Sequence, residues 1–235
     1  MTPARVHVAL VPPAPGSLPA GACAAAIDVL RATTTLAWAR ANGATRIEPF
    51  AETAAALAFR DRHPGCLACG ECDGRIVPGF DLGNSPGEYT RERVAGRTLA
   101  FASTNGSRAL LATARCRRRW LASFATLAAT AEAMAAEAKA NGGDVWLVCA
   151  GKLGSFALED AACAGALAAR LAAGGARLGD VAARLAKALA PAASEVRALV
   201  EGSDHGRWLA SLSEDFATDV AACATLDALA VAVEW

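Results

Sequence analysis

Short apolar runs alternate with longer alanine-rich stretches along nearly the whole chain of 235 residues. Residues 5–11 (RVHVALV) and 22–29 (ACAAAIDV) have the make-up of strands, and a helix from about Arg31 to Asn42 follows, closed by Gly43. The alternation continues with strand TRIEPF and helix AETAAALAFRDRH. Past a long loop come strand RTLAFAS, helix GSRALLATA and strand RRWLASF. A helix from about Leu127 to Ala140 stops at Asn141-Gly142-Gly143, before strand DVWLVCA. The helix LEDAACAGALAARLAA then stops at Gly174-Gly175, and the rest is mainly helical up to a final apolar segment, LDALAVAVEW. This pattern predicts a three-layer α/β/α fold on a largely parallel or mixed sheet. No Ser-, Gly- or Pro-rich linker divides the chain, so residues 1–235 are expected to form a single domain, built at most from two intimately packed halves.

Composition changes this picture in one respect. Hydrophobic residues make up 54% of the chain, but 62 of the 235 residues are alanine, so the larger apolar side chains are fewer than the headline suggests. Alanine is the strongest helix former and lets helices approach a sheet closely, so these stretches are scaffold. Charge balances at 23 basic against 23 acidic residues, which argues against a nucleic-acid partner held by phosphate neutralisation. Twenty of the basic residues are Arg, a bias that fits a GC-rich genome and gives an Arg run such as Arg115 to Arg119 little weight by itself. No stretch is long and apolar enough for a membrane span, and the N-terminal segment, broken by Pro12, Pro13 and Pro15, makes a poor signal peptide. The expected setting is therefore cytoplasmic, with a homo-oligomer left open.

Candidate chemistry lies at strand ends, because ligands of open α/β sheets bind beyond the carboxyl ends of the strands. The first such end is Asp28, followed by Arg31, Thr33 and Thr34 at the start of a helix. Free amides, hydroxyls and an Arg there suit an oxyanion, while Asp and Thr equally serve as plain caps. The second, Ser103-Thr104-Asn105-Gly106-Ser107-Arg108, repeats the layout. Two Arg-Ala pairs at equivalent points could converge on one polyanion. The third runs from Cys149 through Gly151 and Lys152 to Glu159 and Asp160. It fails the spacing of a nucleotide-binding P-loop; Glu159 and Asp160 fall in the first turn of the next helix, where acids complement the dipole, and that plain reading leads for Asp160.

Between these ends, residues 70–86 form a long connection carrying Glu71 and Asp81. These could join Asp28 on Mg²⁺, which prefers oxygen ligands and takes one or two carboxylates with water and substrate phosphate. Cys66, Cys69 and Cys72 in CLACGEC have a spacing seen in zinc and iron–sulfur sites, but a fourth ligand is missing. Of three histidines, His7 and His63 sit in structural contexts. His205, in Ser203-Asp204-His205-Gly206-Arg207, could act as a general acid or a phosphate donor.

The segments IDVLRATTT, GFDLGNSP, STNGSRAL, CAG..G.F.LED..CAGA and S.HGR.L, in this order and spacing, resemble the 2-phosphosulfolactate phosphatase family over roughly Val6 to Val233. The resemblance implies a three-layer α/β/α fold and a Mg²⁺-dependent acid phosphatase. Such an enzyme hydrolyses 2-phosphosulfolactate to sulfolactate and phosphate, a step in coenzyme M biosynthesis. On this reading Asp28, Glu71, Asp81 and His205 are catalytic, and Mg²⁺ is held by Asp28 with Glu71 or Asp81, all three carboxylates being candidate ligands. The polyanionic substrate is then held by Arg31, Thr33, Thr34, Asn105, Gly106, Arg108, Lys152 and Arg207. The chain departs from the family's pattern at Lys152 and Cys72. Those departures favour an alternative, a non-catalytic anion-binding or regulatory protein on the same fold; a third reading is a cysteine-based metal or redox protein.

Overall fold

A computed structural model describes residues 3–235. In chain order the elements are β1 (Arg5–Ala9), β2 (Cys23–Ile27), α1 (Ala32–Ala41), β3 (Arg46–Phe50), α2 (Thr53–Arg62), β4 (Leu67–Cys72) and β5 (Arg75–Ile76). Next come α3 (Arg91–Val94), β6 (Thr98–Ala102), α4 (Gly106–Thr113), β7 (Arg118–Ala122), α5 (Leu127–Asn141), β8 (Val145–Cys149) and α6 (Leu158–Ala173). The last are β9 (Arg177–Leu178), α7 (Val181–Ala188), α8 (Val196–Gly202), α9 (Asp204–Ala210), α10 (Glu214–Cys223) and β10 (Val233–Glu234). Most of the predicted elements are present with ends shifted by one or two residues. β2 stops at Ile27, which places Asp28 in the turn beyond the strand.

The strands form two sheets. The larger has the order β10-β7-β2-β8-β1-β9 and is parallel except for β10, the end of the final apolar segment, which runs antiparallel to β7. The smaller has the order β3-β6-β4-β5, again parallel except for β5. Strand alternation sorts side chains between layers. Cys23, Ala25 and Ile27 of β2 pack into a core shared with α5 and α6. Ala24 and Ala26 face the opposite core, with Leu36 of α1, Leu110 of α4, and Leu99 and Phe101 of β6. Ala100 and Ala102 of β6 turn to a third cluster around Ala56 of α2. Each sheet is thus the middle of an α/β/α arrangement, and α1 and α4 lie between the two sheets.

Residues 70–86, expected to be a long loop, are partly strand: β4 pairs with β6 and turns through Asp73-Gly74 into β5. Gly70, which suggests a loop, is required by strand packing. It holds φ +126°, and a Cβ there would lie 1.8 Å from the Ala102 carbonyl oxygen. The same strand disposes of the cysteine cluster, because side chains three apart on a strand point to opposite faces. Cys66 and Cys69 are buried in different apolar clusters and Cys72 is exposed. Among the described residues no three His, Cys, Asp or Glu side chains gather into a metal cage, and no helix is long and apolar enough to cross a membrane.

Candidate active site

The carboxyl ends of β2, β4, β6 and β8 open onto one cleft of about 210 Å³, closed on a further side by α9. Asp28, Arg31, Glu71, Thr104, Asn105, Lys152, His205 and Trp208 are among its lining residues. Each is delivered by local chain geometry. Asp28 follows directly on β2, and its Oδ1 accepts the amide of Ala32, the first residue of α1, at 3.2 Å, while Oδ2 carries no hydrogen bond. Glu71, at the end of β4, accepts the Thr104 amide on Oε1 (2.7 Å) and the Gly74 amide on Oε2 (2.6 Å). It thereby ties the β4–β5 turn to the loop after β6. Asn105 accepts the Leu153 amide (2.8 Å), joining the loops that follow β6 and β8.

The electrostatics are those of crowded carboxylates. Burial, reinforced by the charges of Glu71 and Glu159, pushes the Asp28 carboxyl up to about 7. Asp160 is raised well above the ordinary carboxylate range, first by burial and then by Asp28. Asp160 accepts the Val29 amide (2.8 Å) and the Gly151 amide (3.0 Å), bracing the loops after β2 and β8 against each other. On the cationic side, Arg31 is buried. Its Nη1 donates to Asp219 of α10 (2.5 Å) and to Ser85 (3.0 Å), and its Nη2 donates to the Gly74 carbonyl (2.8 Å). Those bonds use three of the five guanidinium donors. The Lys152 ammonium lies 3.8 Å from the centre of the Trp208 ring, a cation–π contact, and desolvation lowers its pKa. His205 places Nδ1 3.1 Å from the buried Glu159 carboxylate, which leaves Nε2 as the free ring nitrogen.

Several expected ligands stand elsewhere. Asp81 accepts the Ala68 amide (2.8 Å), pairs with Arg60 on the far side of β4 and does not line the cleft. The Thr33 and Thr34 side chains are fully buried and spent on backbone. Thr33 accepts the Asp28 amide (2.9 Å) and contacts the Asp28 and Ala122 carbonyls, while Thr34 donates to the Val29 carbonyl (2.9 Å). Arg108 is exposed on α4 away from the cleft, so the two Arg-Ala pairs do not converge. Arg207 is exposed and bonded to Asp204 and the Gly202 carbonyl. Gly106, the first residue of α4, lies against Asp28: a Cβ there would stand 2.6 Å from Asp28 Oδ2.

The model of the 2-phosphosulpholactate phosphatase family matches residues 11–235. The chain belongs to this family. A probable 2-phosphosulfolactate phosphatase from Synechococcus sp. (strain JA-3-3Ab) is 43% identical over 218 residues, covering 91% of this chain and 89% of that protein. One from Thermosynechococcus vestitus is 36% identical over 225 residues (91% and 88%), and one from Thermotoga petrophila is 41% identical over 144 residues (61% and 60%).

In this member of the 2-phosphosulpholactate phosphatase family, the parts played by Trp208, which lines the cleft, and by Asp219, Glu159 and Asp160, which hold its residues, are not legible locally. Trp208 and Asp219 gave no local signal. Glu159 and Asp160 sit in the first turn of α6, where an acid suits the helix dipole, and only their distant partners His205, Val29 and Gly151 separate them from ordinary capping residues.

Proposed function

We propose that this chain hydrolyses the phosphate monoester of 2-phosphosulfolactate, or of a similarly small phosphorylated 2-hydroxy acid, with Mg²⁺ held by Asp28 and Glu71. The observation that carries the reading is the buried carboxylate Asp28, set beyond β2 among Glu71, Arg31, Lys152 and His205 in one small cleft. Family membership and the names of the relatives support the same substrate class.

The donor set fits a hard divalent cation. Asp28 Oδ2 has no partner, Glu71 Oε1 accepts a single hydrogen bond, and the like charges around Asp28 favour either a proton or a cation there. Two carboxylates leave the remaining positions to water and substrate phosphate, as is usual for Mg²⁺. When bound, the ion supplies Lewis-acid polarisation of the phosphoryl oxygens.

The chain's own groups do the rest. Lys152 and the unspent Arg31 donors offset charge on phosphate, sulfonate and carboxylate, with the planar Arg fork suited to oxyanions. Trp208 forms an apolar wall that holds Lys152 and limits water. His205 presents Nε2 to the cleft as the proton donor for the departing ester oxygen. The test is phosphate release from 2-phosphosulfolactate, phospholactate and phosphoglycolate with and without Mg²⁺, by the wild type and by Asp28→Asn. Mg²⁺-dependent release that the substitution abolishes is expected, and undiminished release by the variant would overturn the assignment.

A further inference from the structure

Glu159 is 1% exposed, at the head of α6, and its carboxylate has the His205 ring as its hydrogen-bond partner at 3.1 Å. Opposite an ionised carboxylate, which can only accept, the ring donates Nδ1–H, and that pairing leaves Nε2 for the cleft. The two residues come from different elements, 46 positions apart, and each is held independently. Glu159 lies in the first turn of α6. His205 lies on α9, whose start is capped by Ser203 Oγ accepting the Gly206 amide at 2.9 Å. The His205 ring also packs against Trp208, centroids 5.8 Å apart, so its plane is constrained from a second side.

We infer that Glu159 is a positioning residue for the proposed hydrolysis, holding His205 in the orientation and tautomer that direct Nε2 at the ester oxygen of the substrate. The inference rests on the phosphatase reading of this cleft. In the step itself, a water oxygen forms a bond to phosphorus while the bond from phosphorus to the ester oxygen breaks. The electron pair of that bond leaves on the ester oxygen, which takes the Nε2 proton of the protonated ring. The water protons remain on the released phosphate, and one of them returns to Nε2 through solvent, restoring the starting state. No oxidant or further reactant is involved.

Two measurements test the assignment. Nitrogen-15 NMR of the imidazole rings in alkaline buffer reads the tautomers directly, and with only His7, His63 and His205 to assign, single substitutions identify each signal. His205 is expected to carry its proton on Nδ1 in the wild type, with that preference lost in Glu159→Ala and retained in Glu159→Asp. A wild-type ring protonated on Nε2 would overturn the inference, whether or not the protein proves to be a phosphatase. The second measurement is a kinetic cycle. His205→Asn is expected to lower kcat by roughly 10²- to 10⁴-fold. Glu159→Ala should lower kcat roughly tenfold or more with KM within about twofold, and Glu159→Asp should recover part of the loss. The double variant Glu159→Ala/His205→Asn should be no slower than His205→Asn alone. Losses that multiply in the double variant would show that Glu159 acts independently of His205. Should Glu159→Ala fail to fold, Glu159→Gln completes the same cycle. A wild type silent toward every phosphorylated acid would instead remove the phosphatase reading and leave the NMR result to decide the pairing.

Discussion

Gly106, the first residue of α4, stands so close to Asp28 that a Cβ added to it would lie 2.6 Å from the Asp28 Oδ2 atom and 2.4 Å from the Ala32 Cβ. A side chain at the helix start and the carboxylate would claim the same space, so the glycine is a steric requirement of the cleft. Gly106→Ala must therefore displace either the carboxylate or the first turn of α4. The expected cost is about 1–3 kcal/mol of stability, as for overpacking elsewhere. Catalytic efficiency should fall roughly 10²-fold, the scale attached to a misplacement of about 1 Å. Thermal unfolding and phosphate release measured on the same sample check both, and an active, fully stable variant would contradict the packing.

Arg31 and Arg108 look alike in sequence, each preceding Ala at the start of a helix, but they differ in surroundings. Arg31 is buried against Asp219, Ser85 and the Gly74 carbonyl, whereas Arg108 is exposed. Removing one member of a buried ion pair leaves an uncompensated charge and typically costs about 3–5 kcal/mol. Asp219→Ala should therefore destabilise the protein by several kcal/mol and weaken turnover through the freed Arg31. Arg108→Gln should change stability by no more than about 0.5 kcal/mol and leave phosphate release unaltered. Urea denaturation of the two variants side by side distinguishes them. A large effect at Arg108 would restore the convergent two-Arg site.

Most of the fold was legible because apolar runs such as RTLAFAS and DVWLVCA are bounded by helix-length alanine stretches and glycine stops. β4 was not, because LACGEC mixes a glycine and two cysteines, and the need for Gly70 arises from Ala102, 32 residues away. The site divides in the same way. Asp28, Asn105, Lys152 and His205 follow or face strand ends and could be picked out by position. Asp81 stands outside the cleft because sequence proximity to Glu71 says nothing of the turn that sends it to the Ala68 amide. Thr33 and Thr34 offered hydroxyls whose protons the neighbouring carbonyls already claim. Capping and catalysis draw on the same residue types, and only long-range contacts separate them.

The eight cysteines make a prediction about reactivity. Cys72 is exposed, while Cys23, Cys66, Cys69, Cys116, Cys149, Cys163 and Cys223 are buried. Burial raises the thiol pKa at Cys66, Cys69, Cys116, Cys149, Cys163 and Cys223, which suppresses the reactive thiolate. Cys72 is raised too, by partial desolvation and the neighbouring Asp73 and Glu71 charges, but it alone is accessible. Under native conditions about one thiol per chain should react with a disulfide reagent such as dithionitrobenzoate, faster as the pH rises, and Cys72→Ser should abolish that phase. Denaturation should expose all eight. Protection of Cys72 together with bound zinc would revive a metal role for CLACGEC.

The carboxyl of Asp28 sets a pH dependence of stability whose sign follows from linkage. Its pKa rises from the ordinary 3.8 to about 7 on folding, chiefly through burial, so the folded protein retains a proton that the unfolded chain releases. The protonated form is the one that folding favours. The Asp28 contribution to stability is therefore fully present below about pH 4 and is lost as pH rises toward 7, and that of Asp160, raised in the same direction, adds to the loss. Asp28→Asn removes the ionisation while keeping an oxygen for the Ala32 amide. In EDTA the variant should match the wild type near pH 4 and exceed it by up to about 4 kcal/mol at pH 8. A cation bound only by the folded state recovers that loss by mass action. Added Mg²⁺ should accordingly stabilise the wild type at pH 8 and leave Asp28→Asn unmoved. Urea midpoints at pH 4, 6 and 8, with and without Mg²⁺, measure both effects. A gap that is constant with pH would exclude Asp28 as the titrating group, and an equal Mg²⁺ response in both proteins would place the cation elsewhere.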